Sequence, residues 1–397
     1  MSRAISRKTV LCLALGQLVA WGISYYLIGV FGDLIAADLG WSAEIVHGGF
    51  AVALLVMGVV SPFVGRLIDR QGGRSVMIAG GLLNTAGCLL LTVSYSIPTY
   101  YAAWICIGLA MRLTLYDAAF AALVRIGGPE ARRPISQITL LGGLASTTFW
   151  PIGHFLAEQF GWRGAVLAYA GFALLTIPLY LSIPKGQEKL TERPGAVEKA
   201  PPIAATGRRK QIILGSLYAL IMSLANFLNA GMSAHMIGVL AGLGLAASAS
   251  VWIATLRGIG QSLARFCEVL FGGRIDPLTL NLAATLILPL AFVVGLFSGV
   301  SAIAAGVFAF AYGAGNGLLT ITRGTLPLVL FDHRSYGALV GRLAAPSFFF
   351  SAAAPIAYAY VMERFGEAGA LYLSGGVATI IVFAAALLLL LGKRKPE

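Results

Sequence analysis

Charge is scarce in this chain. Only 11% of its 397 residues are Asp, Glu, Lys or Arg, against about a quarter in ordinary soluble domains, which excludes a water-soluble globular fold. Acids are the scarcer sign, with 16 Asp and Glu against 28 Lys and Arg. No paired carboxylates, Ser/His/Asp set or phosphate-binding glycine loop stands where a pocket is expected, so the sequence is not that of an enzyme. A Walker-type nucleotide site is missing too, and direct drive by ATP is not indicated. The 4 cysteines, Cys12, Cys88, Cys106 and Cys267, sit singly in apolar runs with no Cys-x-x-Cys pair. That excludes a disulfide framework and leaves them as small apolar side chains. No cofactor is called for.

What is present is apolar length: 58% of the residues are hydrophobic. Runs of roughly 20 apolar residues, each able to cross the hydrocarbon core as a helix, recur throughout. They predict an all-α membrane protein with about twelve spans: 10–31, 43–64, 75–95, 98–124, 135–157, 163–183, 211–237, 246–270, 278–298, 301–328, 337–360 and 368–391. The first run lacks a small-residue cleavage site, so it reads as the first span and not as a removed leader. Between the sixth and seventh spans the pattern breaks into Pro184, Pro194, Pro201 and Pro202 among Lys, Glu, Gly and Ala. The expected organisation is an N-terminal half 1–183, a flexible linker 184–210 and a C-terminal half 211–397.

The excess of positive charge follows the loops. Arg66, Arg70, Arg74, Arg125, Arg132, Arg133, the linker basic residues, Arg274, Arg334, Arg342 and both basic termini fall on one side, while the opposite loops hold only Arg163 and Arg364. The asymmetry places both termini in the cytoplasm, and the expected home is a bacterial inner membrane. The basic balance is therefore topology, and no nucleic-acid partner is expected; the partners are lipid and a small-molecule substrate, the chain acting as a monomer.

The two halves echo each other. Gly65-Arg66-Leu67-Ile68-Asp69-Arg70-Gln71-Gly72-Gly73-Arg74 lies between the second and third spans, and Gly272-Gly273-Arg274-Ile275-Asp276-Pro277 lies at the matching place in the second half. Two six-helix half-repeats are how a large group of secondary transporters is built. Over essentially its full length the chain resembles a major facilitator superfamily transporter, whose loop pattern Gly-x-Leu-Ala-Asp-Arg-x-Gly-Arg the first motif approaches. The resemblance implies alternating access about a central site. It also implies that Asp69 braces a cytoplasmic gate, with Arg74 in the same motif and Arg342 as a candidate partner of Asp69.

A narrower resemblance runs to the CcoA-like branch, which includes copper and riboflavin importers. It rests on Met232-Ser233-Ala234-His235-Met236 in the seventh span and on Gly258-Ile259-Gly260-Gln261-Ser262-Leu263-Ala264-Arg265 followed by Glu268 in the eighth. The copper importers add His-x-x-x-Met in the eighth span, where this chain has Gly260 and Ala264. Met232, His235 and Met236 offer Cu(I) soft ligands, but His235 cannot share one helix face with both methionines. The branch thus implies riboflavin import first, with copper import as a remote alternative.

Ionisable residues inside spans mark function or internal pairing, because they are expensive in lipid. Arg257, Gln261, Arg265 and Glu268 form one polar stripe on the eighth span, and Tyr312, Asn316, Thr320 and Arg323 another on the tenth. Arg112 and Asp117 occupy the fourth. Arg257 and Arg112 are the substrate candidates. Asp117, Arg265, Glu268 and Arg323 are assigned to gate or ion-pair roles, with Arg265–Glu268 pairing along one helix and Asp117–Arg323 pairing between the halves. Asp117 and Glu268 are also the acids placed in the membrane interior, Glu44 standing at the very start of its span, and hence the candidate proton carriers. Gln17, Trp21 and Tyr25 share a face of the first span, Tyr116 stands one turn from Arg112, and Asn226 and Asn229 line the seventh. Rings to stack with amides and Arg beside them suit a planar, hydrogen-bonding nutrient. Arginines outnumber acids in the spans, which equally suits an organic anion or monocarboxylate.

Overall fold

The computed structural model describes residues 5–184, 207–271, 275–332 and 336–392. Most of the linker, the second Gly-Gly-Arg turn at Gly272–Arg274, and Arg334 lie outside the described residues. Within them the chain is helical from end to end, because a segment in hydrocarbon must satisfy its own amides.

The helices are α1 (Arg7–Ala20), α2 (Leu27–Leu39), α3 (Ala43–Gln71), α4 (Gly73–Thr92), α5 (Ile97–Thr114), α6 (Tyr116–Gly127), α7 (Arg132–Gly142) and α8 (Ala145–Leu181). The second half gives α9 (Arg208–Gly242), α10 (Ala247–Phe271), α11 (Pro277–Gly295), α12 (Ala302–Leu330) and α13 (Tyr336–Gly392). Starts follow capping chemistry. Ser96 and Thr99 form a capping box before α5, and the Asp276 carboxylate accepts from the amides of Leu278 and Thr279 at 3.0 and 3.3 Å before α11.

Two long helices are each a pair of predicted spans. α8 changes direction at Gly161 (φ 67°) and α13 at Gly366 (φ 66°), a left-handed backbone that only glycine adopts without strain. Three predicted spans prove to be interrupted. The first carries a π-helical turn over Trp21–Tyr25 between α1 and α2. The fourth breaks at Leu115, whose ψ of −174° separates α5 from α6. The fifth breaks between α7 and α8.

The chain forms two compact units. Among the described residues, one comprises those up to Ile213 together with Pro327–Arg342, and the other comprises Leu214–Leu326 and the rest of α13 from Leu343. The short segment at the end of α12 and the start of α13 therefore belongs with the first unit, although the sequence division puts it in the second half. The core of the first unit shows why: Tyr336 and Val340 are buried in one cluster with Ile68, Met77, Phe120 and Tyr180. Helices approach closely through glycine. A methyl at Gly108 would meet the Ala53 carbonyl at 2.6 Å in the first unit, and one at Gly317 would meet the Gln261 carbonyl at 2.6 Å in the second.

Candidate functional site

In the second unit the polar stripes of α10 and α12 meet α9. The Arg257 guanidinium donates through Nη2 to Asn229 Oδ1 at 2.6 Å and to Ser233 Oγ at 2.9 Å. Asn316 Nδ2 donates to the same Asn229 oxygen at 2.9 Å. The Tyr312 ring lies under the guanidinium, 5.3 Å from its carbon. Among the described residues no carboxylate pairs with Arg257. It is a cation in a membrane helix, held by amide, hydroxyl and ring.

Below it on α10 the environment changes. Gln261 is half-buried, while Arg265 and Glu268 are buried. Arg265 reaches α12, donating to Gly317 O at 3.4 Å and Thr320 Oγ1 at 3.0 Å. Among the described residues no Arg265–Glu268 ion pair is formed. Glu268 is left with a buried Oε2 that has no hydrogen-bond partner. Arg323 lies over the Phe348 ring at 5.8 Å, and its carbonyl accepts from Tyr218 Oη at 2.7 Å. Asn226 is tied to α13, donating to Ser347 Oγ at 3.0 Å. Met232 and Met236 are buried in packing, whereas His235 is bonded at Nε2 to the Pro355 carbonyl at 2.9 Å and stacks on Tyr358.

The first unit holds two constellations. One is a ring group around the π-helical turn. Trp21 lies 4.9 Å from Tyr25, 6.1 Å from Tyr26 and 5.0 Å from Tyr116, with Phe50 edge-on to Tyr25 at 5.1 Å. Gln17, wholly buried, donates to the Thr114 carbonyl at 2.7 Å. That contact fills the break at Leu115, which makes Tyr116 the first residue of α6 and not one turn of the same helix from Arg112.

The other constellation joins the end of α3 to the start of α13. Asp69 Oδ1 accepts from the Gly337 amide at 3.0 Å and Oδ2 from the Ala338 amide at 2.6 Å. Its partner is the start of α13, whose free amides and positive dipole end attract a carboxylate. Arg342, the partner expected from the resemblance, is exposed and donates to Ala338 O at 3.3 Å. Arg112 joins the same brace: Nε donates to Ser61 Oγ at 2.9 Å, and that hydroxyl donates to the Gly341 carbonyl at 2.7 Å. Asp117 is buried in the first turn of α6, and Arg74 starts α4.

Sequence reasoning missed Ser61, Ser233, Tyr26 and Phe50. Only Ser61 carried a signal, as the hydroxyl before Pro62 in an apolar run.

Comparison with known proteins agrees with this architecture. Over 151 residues the chain is 30% identical to Monocarboxylate transporter 3 of Rattus norvegicus, covering 37% of this chain and 30% of that one. Over 184 residues it is 30% identical to Multidrug resistance protein MdtL of Escherichia coli O45:K1 (strain S88 / ExPEC), covering 45% of each. The matches thus span less than half the length of these relatives. Among solved structures, the human organic anion transporter MFSD10 (TETRAN) superposes with a TM-score of 0.69 at 16% identity, covering 96% of this chain and 99% of that one. FucP in its outward conformation gives 0.71 at 12%, covering 98% and 100%. At such identities these likenesses speak for the fold alone. The family model for the Major Facilitator Superfamily matches residues 13–341, and the chain belongs to that family of multi-pass secondary transporters.

Proposed function

We propose that this transporter carries a small organic anion of the carboxylate class, with Arg257 as the group that holds the anion. The observation that carries the reading is a membrane arginine whose bonds all go to neutral partners, Asn229, Ser233 and the Tyr312 ring. An uncompensated cation in a span is costly, and a carboxylate offers it two parallel charge-assisted bonds. Asn316 steadies Asn229 so that the guanidinium is oriented before substrate arrives. The name of one partly matching protein, a monocarboxylate transporter, supports the same class. The Lys and Arg distribution supports cytoplasmic termini in an inner membrane.

The test is uptake of labelled benzoate and lactate into cells expressing the protein. Arg257→Ala is expected to lower uptake at least about tenfold, the loss of one charged hydrogen bond, with unchanged protein in the membrane. Arg257→Lys retains the charge but not the fork and should fall between. Wild-type uptake by the alanine variant overturns the reading. Riboflavin, which the CcoA-like resemblance implies, is the second reading, favoured by the ring group around Trp21. Rescue of a riboflavin-auxotrophic bacterium on micromolar vitamin would establish it in place of the anion.

A further inference from the structure

The ring group of the first unit contains more than rings. Gln17 and Trp21 stand four apart, on one face of the helix that the π-turn ends. Gln17 is 0% exposed, and its Oε1 has no hydrogen-bond partner. The Trp21 indole Nε1 is likewise buried and without one. Buried polar atoms are nearly always satisfied, and two orphans of opposite kind one turn apart require a reason. One is an acceptor and the other a donor. The Gln17 amide is already fixed by its bond to the Thr114 carbonyl, so its free oxygen cannot turn elsewhere. Trp21, Tyr25 and Tyr26 each keep part of their surface open, and Tyr116 backs Trp21 from the broken fourth span. Single π-turns recur at functional sites because the widened turn re-aims side chains.

We infer that the first unit carries a recognition site for a planar nitrogen heterocycle bearing adjacent ring N–H and C=O groups. The ring N–H donates to Gln17 Oε1, the ring carbonyl accepts from Trp21 Nε1, and the ring lies against the open faces of Trp21 and Tyr25. The inference rests on the transport reading for its role but not on Arg257, since it concerns the first unit by itself. It narrows the substrate class to a flat ring with an amide-like edge.

Binding is measured on the full-length protein in lipid nanodiscs with four probes: orotate, benzoate, cyclohexanecarboxylate and neutral uracil. Orotate carries the ring edge and a carboxylate, benzoate only a flat ring with a carboxylate, and cyclohexanecarboxylate neither flatness nor edge. The expected order is orotate, then benzoate, then cyclohexanecarboxylate, with orotate ahead by roughly tenfold or more for two bonds to otherwise unpaired groups. Trp21→Phe keeps a ring, removes the N–H and leaves the Thr114 contact alone; it should erase the lead of orotate over benzoate and preserve that of benzoate over cyclohexanecarboxylate. Gln17→Leu should do the same. Equal affinities, or a lead of orotate that survives both substitutions because a buried water joins the two atoms, overturn the inference. If all three acids bind equally and only through Arg257, the ring site fails and the anion reading stands. If uracil binds in a Trp21-dependent way and no acid binds better than uracil, the anion reading fails and the ring site stands.

Discussion

Asp69 has its two oxygens on the amides of Gly337 and Ala338, which makes one side chain the cap of α13. Asp69→Ala should cost about 0.5–2 kcal/mol, the usual range for a lost cap, read as a lower unfolding temperature in detergent. A cysteine placed at Ala338 should also label faster in that background. Asp69→Asn keeps one acceptor and should lie between. Met232 and Met236 make the opposite case. Both are buried in packing, so Met232→Ala should lower stability by about 2–5 kcal/mol, as cavities do, while leaving the ratio of benzoate to lactate uptake unchanged. The value of Asp69 was legible because a charged turn between apolar runs stands out. Its partner was not, since backbone amides leave no mark in a sequence, whereas a cation such as Arg342 does. The bond from Arg112 to Ser61 was hidden for a related reason: the hydroxyl before Pro62 marked a polar point in an apolar run without naming its partners.

The helices show which sequence patterns carry structure and which do not. The polar stripe of α10 was visible at helical spacing, but the glycines of α12 decide what it does. Backbones pass so close at Gly313 and Arg257, and at Gly317 and Gln261, that a side chain has no room. Gly317→Val should overpack this seam at about 1–3 kcal/mol and, by tilting α10, reduce anion uptake more than Gly376→Val, where a new methyl meets nothing. The break at Leu115 was not legible, as neither Pro nor Gly marks it, although Asp117 in the first turn of α6 is a helix-start residue. At the other end of the first unit, Arg163 pairs with Asp38, stacks on Tyr95 and Trp162, and so ties α2 to the second limb of α8. The Arg163 bond, with that of Trp162, holds the Asp38 carboxyl below the ordinary carboxylate range. A depressed value means stability that is present at neutral pH and lost only as acid protonates the folded carboxylate. The difference in unfolding temperature between wild type and Asp38→Asn should therefore stay constant from neutral pH down to the ordinary carboxylate range, then vanish below it.

For the whole molecule, apolar length was enough to give the helical class, and the family was legible only through the resemblance carried by the Gly65–Arg74 motif. They were not enough to give the units. Hydropathy counts crossings along the chain, whereas Pro327–Arg342 joins the first unit through contacts among distant residues, Tyr336 and Val340 with Ile68 and Asp69 with the amides beyond them. Removing both ties with Asp69→Ala and Ser61→Ala should loosen that segment first, seen as faster hydrogen exchange at 336–342 with little change in α4 or α5.

That discontinuity has a consequence for how the protein is made. The ribosome finishes residue 213 about 130 residues before it reaches residue 342, on the order of ten seconds of elongation at ordinary rates. During that interval Asp69 has no amides to bind and the pocket for Tyr336 stands unfilled. The first unit is thus born incomplete and is closed late by a piece of its successor, so a stop codon just before residue 336 should release a chain that cellular proteases degrade quickly even though ten crossings have already been made.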